Sequence, residues 1–403
     1  MKRPELLCPA GDFEKMRTAI HYGADAVYLG DSRFSLRSNA GNFDSEELAS
    51  AVRYAHERGV KVYITVNIFA RNNDMPGVRQ HISLLKEIRP DAVIISDPGL
   101  FILFREKAPE IDIHVSTQAN ITNSESARFW QEMGAKRLIL SRELSIDEIR
   151  EIGENVETEL EAFVHGSVCL SYSGKCYLSS FMTTRSANAG ECTNSCRWKY
   201  SLVEEKRQGQ YFPVFEDDRG TYVMNSKDLC LIDYLPLLSN AGVDSFKIEG
   251  RMKGIHYVAG VTSAYREAVD LIGNENSYRS RRQAWQKELS FFSSRGYTTG
   301  LLIGQNQDDI CNVTGENYAS DSELAGVVSD ITGQFAKVLL KSKISVGDSL
   351  EYLTPGLKDK MITVESLRYE DGIEAVSALA GETVLLKTHD GPRKGDLIRK
   401  IKA

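Results

Sequence analysis

The stretch VYITVNIFARNNDMPGVRQHISLLKEIRPDAVII, residues 62–95, contains the unit from which most of this chain is built. An apolar, β-branched run at Val62–Val66 precedes a segment with apolar residues three and four positions apart at Val78–Ile88, and a second apolar run follows at Ala92–Ile95. Short β-branched runs favour strands, and the three- and four-residue spacing favours an amphipathic helix. The stretch therefore predicts two parallel strands joined by a crossover helix.

The same unit recurs from Glu5 to about Gly273. The predicted strands are Glu5–Cys8, Ala26–Leu29, Val62–Val66, Ala92–Ile95, Ile113–Ser116, Arg137–Leu140, Leu160–Val164 and Ser245–Ile248. Predicted helices include Asp12–His21, Ser45–Arg58, Val78–Ile88, Ser124–Met133, Ser145–Ile152 and Tyr257–Ile272. Eight such units in about 270 residues fit a closed TIM-type (β/α)8 barrel better than an open doubly wound sheet. No Gly-x-Gly-x-x-Gly turn follows the first strand, which argues against dinucleotide binding.

The seventh unit is interrupted. After its strand we expect a cysteine-rich insertion over about residues 166–226, containing a hairpin, and then a helix near Leu229–Ser239. The barrel is expected to span residues 1–275, with a helical linker at 276–318. Beyond it, short alternating strands separated by glycine turns predict a small all-β barrel at 319–403. Because barrel active sites gather at the carboxyl ends of the strands, the insertion should cover the mouth.

The composition is that of an ordinary globular protein. Of 403 residues, 42% are apolar and 26% charged, and no apolar run is long enough to span a bilayer. The start, Met1-Lys2-Arg3-Pro4, does not resemble a leader, so we expect a cytoplasmic protein without a membrane partner. The net charge of −7 disfavours general attraction to nucleic acid but leaves room for a local basic groove at Arg185, Arg197 and Lys199. Arg279, Arg281 and Arg282 in a later helix form either a second basic patch or a solvated helix face.

Four cysteines lie close together in the insertion, at Cys169, Cys176, Cys192 and Cys196. A disulfide framework belongs to small secreted domains and suits neither the length nor the seven cysteines of this chain. Structural zinc usually binds paired two-residue knuckles, whereas the gaps here are six, fifteen and three residues. Iron–sulfur clusters tolerate irregular spacing. The residues therefore favour an iron–sulfur cluster and leave zinc as the alternative.

Polar side chains follow most of the predicted strands. They are Asp31, Arg37, Asn67, Asp97, Gln118, Asn120, Arg142, Glu143, His165, Glu249 and Arg251. So many at equivalent strand ends predict a polar pocket at the mouth. Guanidinium groups suit a bidentate hold on carboxylate or phosphate, which indicates a small anionic organic substrate. His165, four residues before Cys169, is equally a structural residue or an acid/base group.

A longer pattern surrounds the first two cysteines. It reads Glu161-x-Phe163-x-x-Gly166-Ser167-Val168-Cys169, four residues, then Gly174-x-Cys176-x-Leu178-Ser179. This pattern resembles the signature of the collagenase-like peptidase family designated U thirty-two. The stretches ELLCPAG, YGADAVYLG, SDPG, VSTQAN, SREL, CTNSCRW, MNSKDL and SFKIEGR support the resemblance over about residues 4–275.

The resemblance implies an activity other than proteolysis. Several branches of the family are oxygen-independent hydroxylation proteins that carry a [4Fe-4S] cluster. CTNSCRW, MNSKDL and the β domain look most like the tRNA branch, which forms 5-hydroxyuridine at the wobble position with prephenate as the implied oxygen source. The implied ligands are Cys169, Cys176, Cys192 and Cys196, with Cys230 as a reserve ligand.

The candidate catalytic residues are Arg142, His165, Glu249 and Arg251. The expected partners are tRNA, a small anionic cosubstrate and a protein that supplies electrons. Two other functions stay open at this point: a metal-dependent collagenase-like peptidase, and a non-catalytic iron–sulfur assembly factor.

Overall fold

The structure of the chain is a computed structural model. It describes residues 3–31, 33–35, 42–169, 171, 175–176, 178–183, 185–193, 195, 202–203, 211–212, 215–217, 220–222, 227–292, 296–304, 322–357, 360–387 and 392–401.

The first part of the chain alternates strands and helices. Its elements are β1 (Glu5–Pro9), α1 (Phe13–His21), β2 (Ala26–Gly30), α2 (Ser45–His56), β3 (Lys61–Val66), α3 (Met75–Ile88), β4 (Ala92–Ile95), α4 (Pro98–Lys107), β5 (Asp112–Val115), α5 (Ser124–Glu132), β6 (Arg137–Ile139), α6 (Ile146–Asn155) and β7 (Glu159–Ser167). The insertion and the rest of the barrel contain α7 (Leu178–Thr183), β8 (Leu202–Val203), β9 (Tyr211–Phe212), β10 (Phe215–Asp217), β11 (Gly220–Tyr222), β12 (Asp228–Cys230), α8 (Leu235–Asn240), β13 (Val243–Ile248), α9 (Ile255–Asp270), α10 (Glu275–Ser290) and β14 (Tyr297–Thr298).

Eight parallel strands close into a barrel. Strands β1 to β7 pair in chain order, and β13 pairs with both β7 and β1. Side chains at the helix starts accept hydrogen bonds from the first backbone N–H groups of the helices. Ser145 and Glu148, for example, form a reciprocal capping box at α6. The predicted TIM-type barrel is confirmed, and the bounds of each predicted strand lie within three residues of those of an observed strand.

The return from the insertion differs from the prediction. Asp228–Cys230 forms β12, antiparallel to the end of β7, with Asp228 opposite Ser167 and Cys230 opposite His165. A helix beginning near Leu229 is therefore wrong, since α8 begins only at Leu235. The physical reason is that β7 extends beyond the barrel and offers an open strand edge, on which Leu229 becomes buried.

Gly166 allows β7 and β13 to approach each other at the mouth. Its φ of +105° is in the region that favours glycine, and a Cβ there would lie 2.4 Å from the carbonyl oxygen of Glu249. The β7–β13 ladder also shifts register between the pairs Lys247–Phe163 and Ile248–His165. This extra residue on β7 turns the side chains beyond Phe163 away from the regular alternation.

Charged side chains occupy the interior of the barrel, where side chains are usually apolar. Arg137 donates to Glu5 (2.6 Å), Glu159 (2.8 Å) and Glu161 (3.2 Å). Lys247 donates to the second oxygen of Glu161 at 2.9 Å. Four strands of the barrel are thereby connected through one buried ion-pair network.

The C-terminal part is all-β. Its strands are β15 (Ser322–Thr332), β16 (Phe335–Leu340), β17 (Ile344–Ser345), β18 (Ser349–Leu353), β19 (Lys360–Thr363), β20 (Leu367–Arg368), β21 (Glu374–Ala375), β22 (Ser377–Ala378), β23 (Thr383–Lys387) and β24 (Leu397–Ile401). Eight of them form one antiparallel sheet in the order β19-β18-β24-β15-β16-β23-β20-β21, and β17 pairs with β22. The predicted all-β character is confirmed.

The β domain packs against the side of the barrel. The hydroxyl of Tyr22 donates to the carbonyl of Leu353 (2.7 Å) and accepts from the amide of Leu397 (2.9 Å). Nη1 and Nη2 of Arg399 each donate to the Glu288 carboxylate at 2.7 Å, and both side chains are buried. Among the described helices, none is long and apolar enough to cross a lipid bilayer.

The buried Arg399–Glu288 pair gives a stability prediction. The substitution Arg399→Met leaves the Glu288 carboxylate buried without its cation, so we expect a loss of about 3–5 kcal/mol in the free energy of unfolding. The matched control is Arg368→Met, which breaks an exposed pair with Glu374 in the same domain and should cost less than about 1 kcal/mol. Urea unfolding measures both, and equal losses would contradict the prediction.

Candidate active site at the barrel mouth

A cavity of about 130 Å³, open to solvent, lies at the carboxyl ends of the strands. Both the barrel and the insertion contribute to its wall. Predicted residues that line it are Asn67, Gln118, Arg142, Glu143, Cys169, Cys176, Cys192, Glu249 and Arg251. Residues distant in the chain, which the sequence placed together only as strand ends, thus share one cavity.

Arg142 and Glu249 lie side by side in the wall of this cavity. Nη2 of Arg142 lies 3.8 Å from the Glu249 carboxylate, and Nη1 donates to the carbonyl of Ser167 at 3.3 Å. The guanidinium stacks over the ring of Phe163, with Cζ 3.9 Å from the ring centroid. Stacking fixes the plane of the guanidinium, which suits it to hold a planar anion.

Arg251 is held rigidly in the wall of the same cavity. It is 2% exposed, and its Nη1 donates to the hydroxyls of Ser35 (2.6 Å) and Thr65 (2.9 Å). Gly30 makes room for this arginine, because a Cβ there would lie 2.1 Å from Nη1. The charge of Arg251 is therefore fixed in position at the cavity wall before any ligand binds.

An amide cluster completes the polar wall. Gln118 accepts from the Asn67 amide (3.3 Å) and from the Ser96 hydroxyl (3.1 Å). These contacts orient the Gln118 carbonyl. The neutral amides of Asn67 and Gln118 thus line the same cavity as Arg142 and Arg251. Such groups can select among anionic ligands by their hydroxyl and carbonyl positions.

Three of the four predicted cysteine ligands lie in the cavity wall. Cys169 is exposed, Cys176 and Cys192 are partly buried, and the Ser179 hydroxyl lies 3.9 Å from the Cys192 sulfur. Cys196 lies outside the described residues, as do Arg37, Arg197 and Lys199. Within the part of the chain that the structure describes, no three His, Cys, Asp or Glu side chains stand at metal-binding spacing. Three thiols therefore line one cavity, without metal-ligand geometry among the described residues.

His165 lies elsewhere. The register shift turns it out of the barrel, and it packs among Tyr257, Tyr265 and Tyr297 with ring centroids 5.3–5.9 Å away. Tyr265 donates to the Val164 carbonyl, so its oxygen accepts from Nδ1 of a neutral His165. Burial lowers the pKa of His165 to about 3. His165 is not among the residues that line the cavity.

Cys230 lies in the same layer as His165. Its sulfur is 3.8 Å from the Tyr265 hydroxyl, and burial raises the pKa of its thiol to about 11. It does not line the cavity that Cys169, Cys176 and Cys192 line. Asp97 instead caps α4, and Asp31 is buried beside His81.

Lys247 is the main cavity residue that the sequence reasoning missed. It is 4% exposed and lines the cavity from below, with its ammonium over the rings of Tyr28 (4.6 Å) and Phe163 (5.3 Å). A lysine inside the otherwise apolar strand SFKIE was the available signal, because a charged residue seldom points into a barrel without a partner.

Comparisons with known proteins show extensive similarity. The model of Peptidase family U32 matches residues 11–312, and that of the Peptidase family U32 C-terminal domain matches residues 320–399. The chain is 38% identical to tRNA hydroxylation protein P1 of Bacillus subtilis, over 94% of this chain and 90% of that protein. It is 38% identical to an uncharacterized protease of Methanocaldococcus jannaschii, over 99% and 98%. It is 37% identical to the 23S rRNA 5-hydroxycytidine C2501 synthase of Escherichia coli, over 76% of this chain and 46% of that protein.

The buried, neutral His165 predicts a pH dependence of stability. Between pH 6.5 and about 3, the unfolded chain binds a proton at this residue that the folded chain does not, so the fold loses about 1.4 kcal/mol per pH unit as the pH falls. His165→Phe keeps an aromatic ring but removes this titration. We therefore expect the stability of the variant relative to wild type to improve between pH 7.5 and pH 5, measured by urea unfolding. A difference that does not change with pH would contradict this.

Proposed function

Because this chain belongs to peptidase family U32, we propose that it is an iron–sulfur-dependent tRNA hydroxylation protein that forms 5-hydroxyuridine at the wobble position, with prephenate as oxygen donor. The observation that carries the proposal is one cavity that brings together thiols and fixed cations: Cys169, Cys176 and Cys192 with Arg142 and Arg251. The names of two relatives, one a tRNA hydroxylation protein and one an rRNA 5-hydroxycytidine synthase, support RNA as the substrate.

The thiols support a bound metal centre. Thiolates are soft ligands that favour iron–sulfur clusters, and Cys169, Cys176 and Cys192 approach the cavity from different parts of the insertion. We propose Cys196 as the fourth ligand. Cys230 is the less suitable thiol because it lies beside Tyr265, behind β7. When bound, a cluster at this place would supply redox chemistry at the barrel mouth.

The cations support a small acidic cosubstrate. Hydroxylation replaces a C–H bond of the uracil ring by C–OH, a two-electron oxidation of the base. The oxygen donor must therefore take up two electrons as it gives up its oxygen atom. Arg142 and Arg251 would hold one carboxylate of prephenate, since each guanidinium is fixed, one by stacking on Phe163 and one by the hydroxyls of Ser35 and Thr65. Glu249, 3.8 Å from Arg142, keeps that arginine aimed across the cavity.

The open side of the cavity supports entry of a nucleotide. A base inside a stacked anticodon is out of reach of such a site, so the uridine must be turned out of the stack to enter. Lys175 and Arg185 on the insertion are exposed, and Lys175 is adjacent to the cavity residue Cys176. Exposed cations at this rim would contact phosphates, even though the chain carries a net charge of −7.

The proposal is tested in a bacterial strain that lacks its own tRNA hydroxylation genes. We expect this gene to restore 5-hydroxyuridine and its derivatives in tRNA, measured by mass analysis of nucleosides. Arg142→Met should reduce the modified fraction about tenfold or more, because it removes charged hydrogen bonds to the cosubstrate. Arg128→Met, on the exposed surface of α5, is the matched control and should restore modification fully. Folded protein that restores no hydroxylated nucleoside would refute the proposal.

The cluster is tested by iron content and colour. Anaerobically purified protein should be brown, with broad absorbance near about 400 nm and about four irons per chain. Cys169→Ser, Cys176→Ser, Cys192→Ser and Cys196→Ser should each lose most of this iron, whereas Cys230→Ser should retain it. Colourless protein with one zinc would overturn the mechanism. Full iron in Cys196→Ser together with an empty site in Cys230→Ser would exchange the fourth ligand.

A further inference from the structure

The ion pair with Glu161 uses only part of the hydrogen-bonding capacity of Lys247. An ammonium group has three N–H donors. Within the described part of the chain, one of them is used, in the 2.9 Å bond to Glu161. The side chain is 4% exposed, so water cannot freely satisfy the others, yet the residue lines the cavity. A buried donor that faces a cavity calls for an acceptor on the ligand.

The surroundings indicate the chemistry of that acceptor. Lys247 and Arg142 are positioned around the same Phe163 ring, with Nζ 5.3 Å and Cζ 3.9 Å from its centroid. The two cations therefore lie no further apart than the sum of these distances, which one small organic di-acid can span. Tyr28, Ile94 and Ile139 line the same cavity and offer apolar contact to the body of such a ligand.

We propose that Lys247 forms a second anion-binding position at the floor of the cavity, and that the cosubstrate is a di-acid held between Lys247 below and Arg142 above, with its apolar ring body against Phe163. This inference rests on the proposed function, of which it specifies the cosubstrate site. Glu161 acts as a positioning residue: one of its oxygens holds the ammonium of Lys247, while the other accepts from Arg137 at 3.2 Å.

The alternative role of Lys247 is purely structural, namely to neutralise Glu161. The two roles differ in the sign of one comparison. Breaking the ion pair from either side destabilises the fold, because each substitution leaves one buried charge with fewer partners. Only loss of the ammonium removes an anion-binding group, whereas loss of the carboxylate removes a negative charge from beneath the bound anion.

The test measures binding of prephenate by calorimetry to anaerobically purified, full-length protein, without RNA and without turnover. We expect Lys247→Met to weaken binding about tenfold or more, as for the loss of a charged hydrogen bond. Glu161→Gln keeps a carbonyl oxygen that can accept from the Lys247 ammonium, so it should bind prephenate at least as tightly as wild type. The double variant Lys247→Met with Glu161→Gln removes one positive and one negative charge, so the net buried charge stays the same. It still lacks the ammonium group and should bind prephenate as weakly as Lys247→Met. Lys61→Met, at the opposite end of the barrel, is the control.

A mono-acid with a similar ring gives the second comparison. Phenylpyruvate carries one carboxylate, so wild-type protein should bind it more weakly than prephenate, and the difference should shrink in Lys247→Met, where one anion-binding position is left. Unchanged prephenate binding in Lys247→Met overturns the inference, as does a wild-type protein that binds neither acid. Since no RNA is present, binding that follows the expected pattern in a protein that forms no hydroxylated nucleoside would retain the anion site and reject only the proposed reaction.

Discussion

The ion pairs of the buried Glu161 carboxylate fix the register of the barrel strands. The carboxylate is fully buried, and one of its oxygens faces Arg137 while the other faces Lys247. Burial alone would raise the pKa of the neighbouring Glu5 carboxyl, but the Arg137 guanidinium outweighs it and the pKa lies below its usual value. Buried ion pairs contribute little net stability compared with apolar packing. What this network contributes is register, because a slip of one residue in β6, β7 or β13 would turn a charge toward the helices.

The same network joins the two ends of the barrel. Its lower part, at Glu5 and Glu159, lies at the amino ends of the strands, while Lys247 reaches the floor of the cavity. A ligand at the mouth therefore meets a cation whose position is set by strands on the far side of the barrel. Rigid support of this kind is what a site needs if its charges are to be in place before the ligand arrives.

Much of the fold and part of the site follow from sequence patterns. Strand ends are readable because apolar runs stop at polar residues, and this placed Arg142, Glu249 and Arg251 in one cavity. The direction of His165 could not be predicted, because it depends on a register shift between two strands that no local pattern encodes. Its buried position among tyrosines favours the structural role over the acid/base role. The strand β12 was missed for a similar reason, since its partner edge exists only after β7 has extended beyond the barrel. Lys247 was missed because its partner lies far away in the chain, and the role of Cys196 stays a prediction.

The pairing of Ser167 with Asp228 means that the long insertion leaves the barrel and returns to it at one point. Its two ends are fixed by β7 and β12 whatever lies between them. The entropy of closing a loop grows slowly with its length, so such a segment can lengthen, shorten or be replaced at little cost to the barrel. The insertion can therefore change in sequence and length during evolution while the barrel strands keep their pairing, and a family built on this barrel can acquire new substrates in this way.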